Sequence, residues 1–71
     1  MSAEFEYDPT TDSLCIKLRP GPSLDNRIVS DAVVIDLGAD GEPIGYDIQH
    51  ASTHAEAIAE ALGYLHQRSA A

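Results

Sequence analysis

Tyr7-Asp8-Pro9-Thr10-Thr11-Asp12-Ser13-Leu14-Cys15-Ile16-Lys17-Leu18 decides the fold of this chain, because it is two alternating runs split by turn residues. Upstream, Ala3, Phe5 and Tyr7 alternate with Glu4, Glu6 and Asp8, the period of two of a half-buried strand. Between the runs, Pro9 presets its own backbone angle and the flanking Asp8 and Asp12 can cap exposed amides, so residues 8–12 read as a turn. Leu14, Ile16 and Leu18 resume the alternation, with Cys15, Lys17 and Arg19 on the opposite face. If the runs pair as a hairpin, Glu4 and Glu6 lie near Lys17 and Arg19. Exposed cross-strand pairs of this kind contribute only ~0.2–1 kcal/mol each, but they oppose register slip.

Further along, Pro20-Gly21-Pro22-Ser23 ends the second strand, since its prolines have no amide hydrogen to give a ladder. Arg27-Ile28-Val29-Ser30 reads as a short edge strand. In Ala32–Leu37, Val33, Ile35 and Leu37 share a face with Val34 opposite them, and this most apolar run predicts a central strand. Asp40-Gly41 is a hairpin signal, because glycine adopts positive φ without steric penalty. Ile44, Tyr46 and Ile48 complete the last strand, opposing Gly45, Asp47 and Gln49.

The rhythm changes at Ser52. Thr53 and Glu56 have the spacing of a capping box. Ala55, Ile58, Ala59, Leu62 and Leu65 then recur at helical spacing, with Glu56, Glu60 and Gln67 outside the stripe. Gly63 weakens that helix by ~1 kcal/mol relative to alanine. The stripe needs a surface to cover, and the predicted one is the Phe5/Leu14/Ile35/Tyr46 face of the sheet. The expected fold is α+β within a single small domain, 1–71. A four- to five-stranded antiparallel β-meander occupies 3–49, one C-terminal α-helix (53–67) packs on one face, and 68–71 form a tail.

Two stretches carry a family resemblance. Tyr7-Asp8, a short polar turn and Leu14-x-Ile16-x-Leu18 are followed by an aliphatic-Asp strand, Asp40-Gly41, and Ile44-Gly45-x-x-Ile48-x-x-Ala51-Ser52. From about Phe5 to Ser52 the order and spacing of both hairpins resemble the short prokaryotic proteins grouped as domain of unknown function 2283. The resemblance implies a small β-sheet domain of bacteria or archaea and implies no reaction. For some members it implies company with small toxin–antitoxin-type genes. Pro43 departs from the pattern, where a branched or basic residue is usual, and affects backbone pairing at that point only.

Composition narrows the function classes. Seventy-one residues make one domain, near the lower limit at which an apolar core sustains itself. Cys15 is the only cysteine, so no disulfide forms within the chain and no cysteine-rich zinc pattern exists. Self-association is the expected extra source of stability. Twelve acidic against four basic residues give a net charge of −8, which repels phosphate backbones and anionic membranes. Nucleic acid and membrane are therefore not expected partners. A second copy of the chain or a small basic protein is. The opening Met1-Ser2-Ala3-Glu4 has neither a basic start nor an apolar run, and no stretch approaches the ~20 apolar residues of a membrane span. The expectation is a cytoplasmic protein.

Each candidate for chemistry has a plain structural alternative. His50 and His54, four apart after Asp47, have the separation of a helical metal pair. With Thr53 as the cap, however, His50 precedes the helix, and no third ligand completes the set. Cys15 shares its predicted face with Lys17 and Arg19, cations that favour a thiolate, yet no histidine is near in sequence. Asp36 and Asp47 fall on the polar face of neighbouring strands, the raw material of acid–base chemistry only if burial raises one pKa. The loop Gly38–Gly41 lacks phosphate-binding spacing. His66 and Arg68 complement the negative end of the helix dipole. No catalytic, cofactor or metal residue is assigned, and no cofactor is expected. The leading expectation is a non-enzymatic interaction module, homodimeric or partner-binding and antitoxin-like in its sharper form. The alternatives are a metal-dependent or acid–base enzyme using Asp36, Asp47, His50 or Cys15, and a small-ligand sensor at the sheet–helix seam.

Overall fold

The structure, a computed structural model, describes residues 4–70, with side chains described through Tyr64. Five strands, β1 (Glu4–Asp8), β2 (Ser13–Lys17), β3 (Asp25–Ile28), β4 (Val33–Leu37) and β5 (Pro43–Ile48), precede a 3-10 turn, Ala51–Thr53, and helix α1 (Ala55–Ala70). They form one antiparallel sheet in the order β1-β2-β5-β4-β3. The β1–β2 hairpin and the β3–β4–β5 meander join where β5 pairs with β2, so β5 is the middle strand. The apolar run of β4, expected to be central, is internal but second from the edge. Residues 18–24, with their two prolines, carry the chain from β2 to the far edge, and β3 and β4 then fill inward toward β5.

The turns behave as their residues dictate. Asp8 Oδ1 accepts the Thr10 N–H at 2.9 Å, and Asp12 adopts a left-handed φ of 54°. In the β4–β5 turn, Gly41 takes a φ of 78° and Asp40 Oδ1 accepts the Glu42 N–H at 3.1 Å. Pro43 begins β5 opposite Leu37, where the β4–β5 register shifts. On the hairpin's polar face Glu4 is paired with Lys17, but Glu6 faces Cys15. Arg19 lies past the end of β2 and pairs with Asp40 instead. The Leu18 amide still bonds the Ile44 carbonyl at 2.8 Å, in line with the β2–β5 pairing, and Pro20, which has no amide hydrogen, stops the ladder from running further.

Ile16, Leu18, Val33, Ile35, Tyr46 and Ile48 form one buried cluster with Ala51, Ala57 and Ala61 of the 3-10 turn and helix, and Ile44 is buried outside it beside Gly38. The helix buries a different stripe from the expected one. Ala57 and Ala61 face the sheet, Ile58 and Tyr64 pack at their margin, and Ala55, Ala59 and Leu62 are exposed. The bulk of Tyr46 is the reason. Its fully buried ring occupies the centre of the seam, and only alanine-sized side chains let α1 approach it. Tyr46 is fixed further by its hydroxyl, which donates to Glu60 Oε2 at 2.9 Å, and by the Tyr64 ring at a centroid distance of 6.4 Å. The helix lies chiefly over β5, and of the predicted face Ile35 and Tyr46 are buried, Leu14 is half-buried and Phe5 is 48% exposed. Expectations for Ala3, Leu65, His66, Gln67 and Arg68 fall outside the described residues or side chains.

The helix begins at Ala55, two residues later than expected, because residues 51–53 form the 3-10 turn. Thr53 Oγ1 donates to the His50 carbonyl at 2.9 Å and therefore does not act as the cap of a capping box. Asp12 ties this linker to the first hairpin. Its carbonyl accepts the Ala51 N–H at 2.8 Å, and its carboxylate accepts the Ser52 amide and hydroxyl and the Tyr7 hydroxyl. These donors, the Ser52 hydroxyl first and the Tyr7 hydroxyl next, hold the Asp12 carboxyl below its ordinary value of 3.8. The ionised form thus stabilises the fold above that value, and its contribution is lost as pH falls through the lowered folded value. We expect Asp12→Ala to lower the thermal midpoint at pH 7 by about 4–8 °C. The gap from the parent should narrow as pH is taken from 4 toward 2; circular-dichroism melts across that range check both points.

Candidate functional site: the open face and the β3 edge

Because α1 covers one face of the sheet, the side chains of opposite parity line a bare face. Across it, Glu6, Cys15, Asp47, Val34 and Ile28 stand opposite one another from edge to edge, and the next row runs Glu4, Lys17, Gly45, Asp36 and Asn26. Asp36 and Asp47 are diagonal neighbours on adjacent strands. Gly45, directly opposite Asp36, presents no side chain to separate them. A hollow of about 650 Å³ lies here, bordered by Glu6, Cys15, Val34, Asp36 and Asp47.

The sequence candidates therefore meet in part. Cys15, Asp36 and Asp47 come together, whereas His50 and His54 sit in the linker. His50 has a left-handed φ of 52°, and His54 Nδ1 lies 3.0 Å from the His50 carbonyl, so the pair organises the 3-10 turn. Among the described residues no group of three or more His, Cys, Asp or Glu side chains is placed to hold a metal ion. Burial, and then the charge of Asp47, pushes the Asp36 carboxyl up from its ordinary value. That burial was not legible in the sequence. Cys15 is pushed up as well, by burial first and by Asp47 second, and Lys17 opposes only part of the effect. Arg19, expected to help form a thiolate, is engaged by Asp40, whose carboxyl it lowers to about 2. The environment of Cys15 thus favours the neutral thiol, the reverse of what a nucleophile needs.

The second feature is the sheet's edge. All four residues of β3 are exposed, and Leu24, Ile28 and Val29 leave 63%, 73% and 56% of their surfaces in solvent. Three of the six large apolar side chains exposed among the described residues thus cluster at one edge. Apolar residues on an uncovered strand are what other chains recognise, since each unpaired strand offers a row of amides and carbonyls. The Arg27–Ser30 reading anticipated an edge strand but set it two residues late.

A family model describing a protein of unknown function (DUF2283) matches residues 4–52. This chain belongs to the DUF2283 family. The match takes in all five strands and ends in the linker, so the DUF2283 region supplies the whole sheet, both edges and the bare face, and leaves α1 outside. No curated protein and no solved structure matches the chain. Among the described residues no helix is long and apolar enough to cross a membrane.

Proposed function

We propose that this DUF2283 protein is a non-enzymatic interaction module whose contact element is the β3 edge. One observation carries the proposal: the concentration of Ile28 on β3, and of Leu24 and Val29 at its two ends, along a strand with no neighbour on its outer side. An incoming strand gains affinity from main-chain hydrogen bonds and specificity from alternate side chains. The acidic character of the chain, −8 overall, speeds encounter with a basic partner, whereas an equally charged partner has to be selected by local charge pairs at the edge itself. Support against a cysteine nucleophile comes from the bare face, where burial and Asp47 disfavour the thiolate of Cys15.

The test is a photo-crosslinking amino acid placed singly at Ile28 and, as a control, at Glu6 on the bare face. Irradiation of the purified protein, alone or with a candidate basic protein, is expected to trap a defined adduct from position 28 and several-fold less from position 6. Equal yields at both positions, or none from position 28, overturn the edge as the contact element. In the antitoxin-like form of the proposal, the trapped species is a small basic protein.

A further inference from the structure

We infer that the partner strand at the β3 edge is β3 of a second copy, paired antiparallel about a twofold axis through Asn26. This inference rests on the edge-contact reading above and names its occupant. The ladder between β3 and β4 fixes which main-chain groups of β3 are free. Asp25, Arg27 and Val29 stand opposite Leu37, Ile35 and Val33, and the Val29 N–H donates to the Val33 carbonyl at 2.9 Å. In an antiparallel pair, residues alternate between those that bond the partner and those whose main-chain groups point away. The odd-numbered residues of β3 therefore bond β4, and the amides and carbonyls of Asn26 and Ile28 point off the edge. Asn26 bears this out independently: its N–H donates to Asp25 Oδ1 at 2.8 Å instead of to β4.

Only registers that place even-numbered residues opposite even-numbered residues can use those outward groups. Centring the pair on Asp25 sets Asp25 against Asp25, and centring it on Arg27 sets Arg27 against Arg27; both are like-charge contacts that oppose pairing. Centring on Ile28 sets Arg27 against Val29, with no charge match. Centring on Asn26 sets Asp25 against Arg27 of the second copy and, by symmetry, Arg27 against Asp25. It also sets Leu24 against Ile28 twice. These are the apolar pairs that cover two of the three exposed side chains of the edge, with Val34 directly opposite Ile28 in the sheet behind. Asn26 exchanges main-chain bonds with its symmetry mate, and the Ile28 N–H meets the Leu24 carbonyl. The Leu24 N–H is already committed to the Leu37 carbonyl at 3.0 Å and is not required.

Charge complementarity thus selects one register of the self-pair. Arg27 makes no ion pair among the described residues, where the one salt bridge is Arg19–Asp40. Asp25, which caps the Asn26 amide in the single chain, turns to Arg27 of the second copy and releases that amide to the ladder. The product is a continuous sheet through two copies, isologous as a twofold contact must be. A strand this short buries little surface, so the dimer is a weak one, dissociating in the micromolar range.

Sedimentation equilibrium on four proteins tests this: the parent, Asp25→Arg, Arg27→Asp and the double swap. The parent is expected to dimerise at about 10–100 µM, and each single variant to bind itself at least tenfold more weakly. The double swap, in which both opposite-charge pairs return with their signs exchanged, recovers dimerisation. Mixing the two single variants is expected to give a heterodimer, because one then presents two cations to two anions. Circular dichroism on each variant confirms an intact fold, both positions being exposed. A parent that dimerises with no response to the swaps overturns the register while the interaction reading stands. A parent that stays monomeric near 1 mM while position 28 still crosslinks another protein overturns self-pairing alone. Monomer with no crosslink overturns both.

Discussion

Tyr46→Ala is expected to leave the domain largely unfolded at 25 °C. Tyr46 is wholly buried at the middle of the central strand, flanked by Ile16 on β2 and Ile35 on β4, and roofed by α1. Removing a ring from such a position costs about 3–5 kcal/mol, the transfer loss plus the cavity left behind. A chain of 71 residues has only about 0.05–0.15 kcal/mol of net stability per residue to set against it. Two further contacts are lost with the ring, the bond to Glu60 and the packing against Tyr64. Burial, then the bond to the Glu60 carboxylate, raises the pKa of the Tyr46 hydroxyl, so it remains a neutral donor throughout the ordinary pH range. Tyr46→Phe separates the two contributions: it keeps the packing, frees Glu60 to water, and is expected to cost about 1 kcal/mol. Urea titrations monitored by circular dichroism measure both, and a Tyr46→Ala protein as stable as the parent contradicts the account of the core.

Ala61→Leu is expected to be clearly destabilising as well, with Leu62 as its internal control. Ala61 is fully buried between α1 and the sheet, and enlarging a well-packed site costs about 1–3 kcal/mol through displaced neighbours. Leu62, one position on, leaves 44% of its surface in solvent, so Leu62→Ala is expected to change stability by no more than about 0.5 kcal/mol. Thermal melts of the two variants decide between the observed helix face and the leucine stripe that hydrophobic spacing predicts. If Leu62→Ala is the costlier change, α1 is rotated from the orientation described.

Strands and helix differ in how far their residue order can be read. In β2, β4 and β5 alternation identified the buried set well, from Ile16 and Leu18 through Val33 and Ile35 to Ile44, Tyr46 and Ile48. In β1 the expected inward pair Phe5 and Tyr7 is left about half exposed, because the edge strand lacks a covering layer. Turn chemistry at Pro9 and at Asp40-Gly41 placed the hairpins, because those residues constrain their own φ and ψ whatever surrounds them. On the helix, spacing favoured the large side chains at Ile58 and Leu62, whereas the sheet accepted the alanines at 57 and 61. Hydrophobicity ranks side chains by size, but a seam already filled by tyrosine selects for room.

The candidate site divides along the same line. The alternation put Cys15, Asp36 and Asp47 on the polar face, and that survives. The half-burial of Asp36, the upward push on Cys15 and the withdrawal of Arg19 to Asp40 depend on which strands became neighbours. The Asp12 clamp on Ser52 joins residues forty positions apart, and nothing in the local pattern signals it.

By itself, the amino-acid order determined the strands, their inward faces, their turns, the acidic exterior and the presence of a terminal helix, since each depends on contacts within a few residues. The tertiary structure alone decided that β5 is the middle strand, that α1 turns its alanines to the sheet, and that β3 is left as an apolar edge. Those outcomes follow from competition for the same limited surface between segments far apart in the chain, and no local periodicity records which of them prevails.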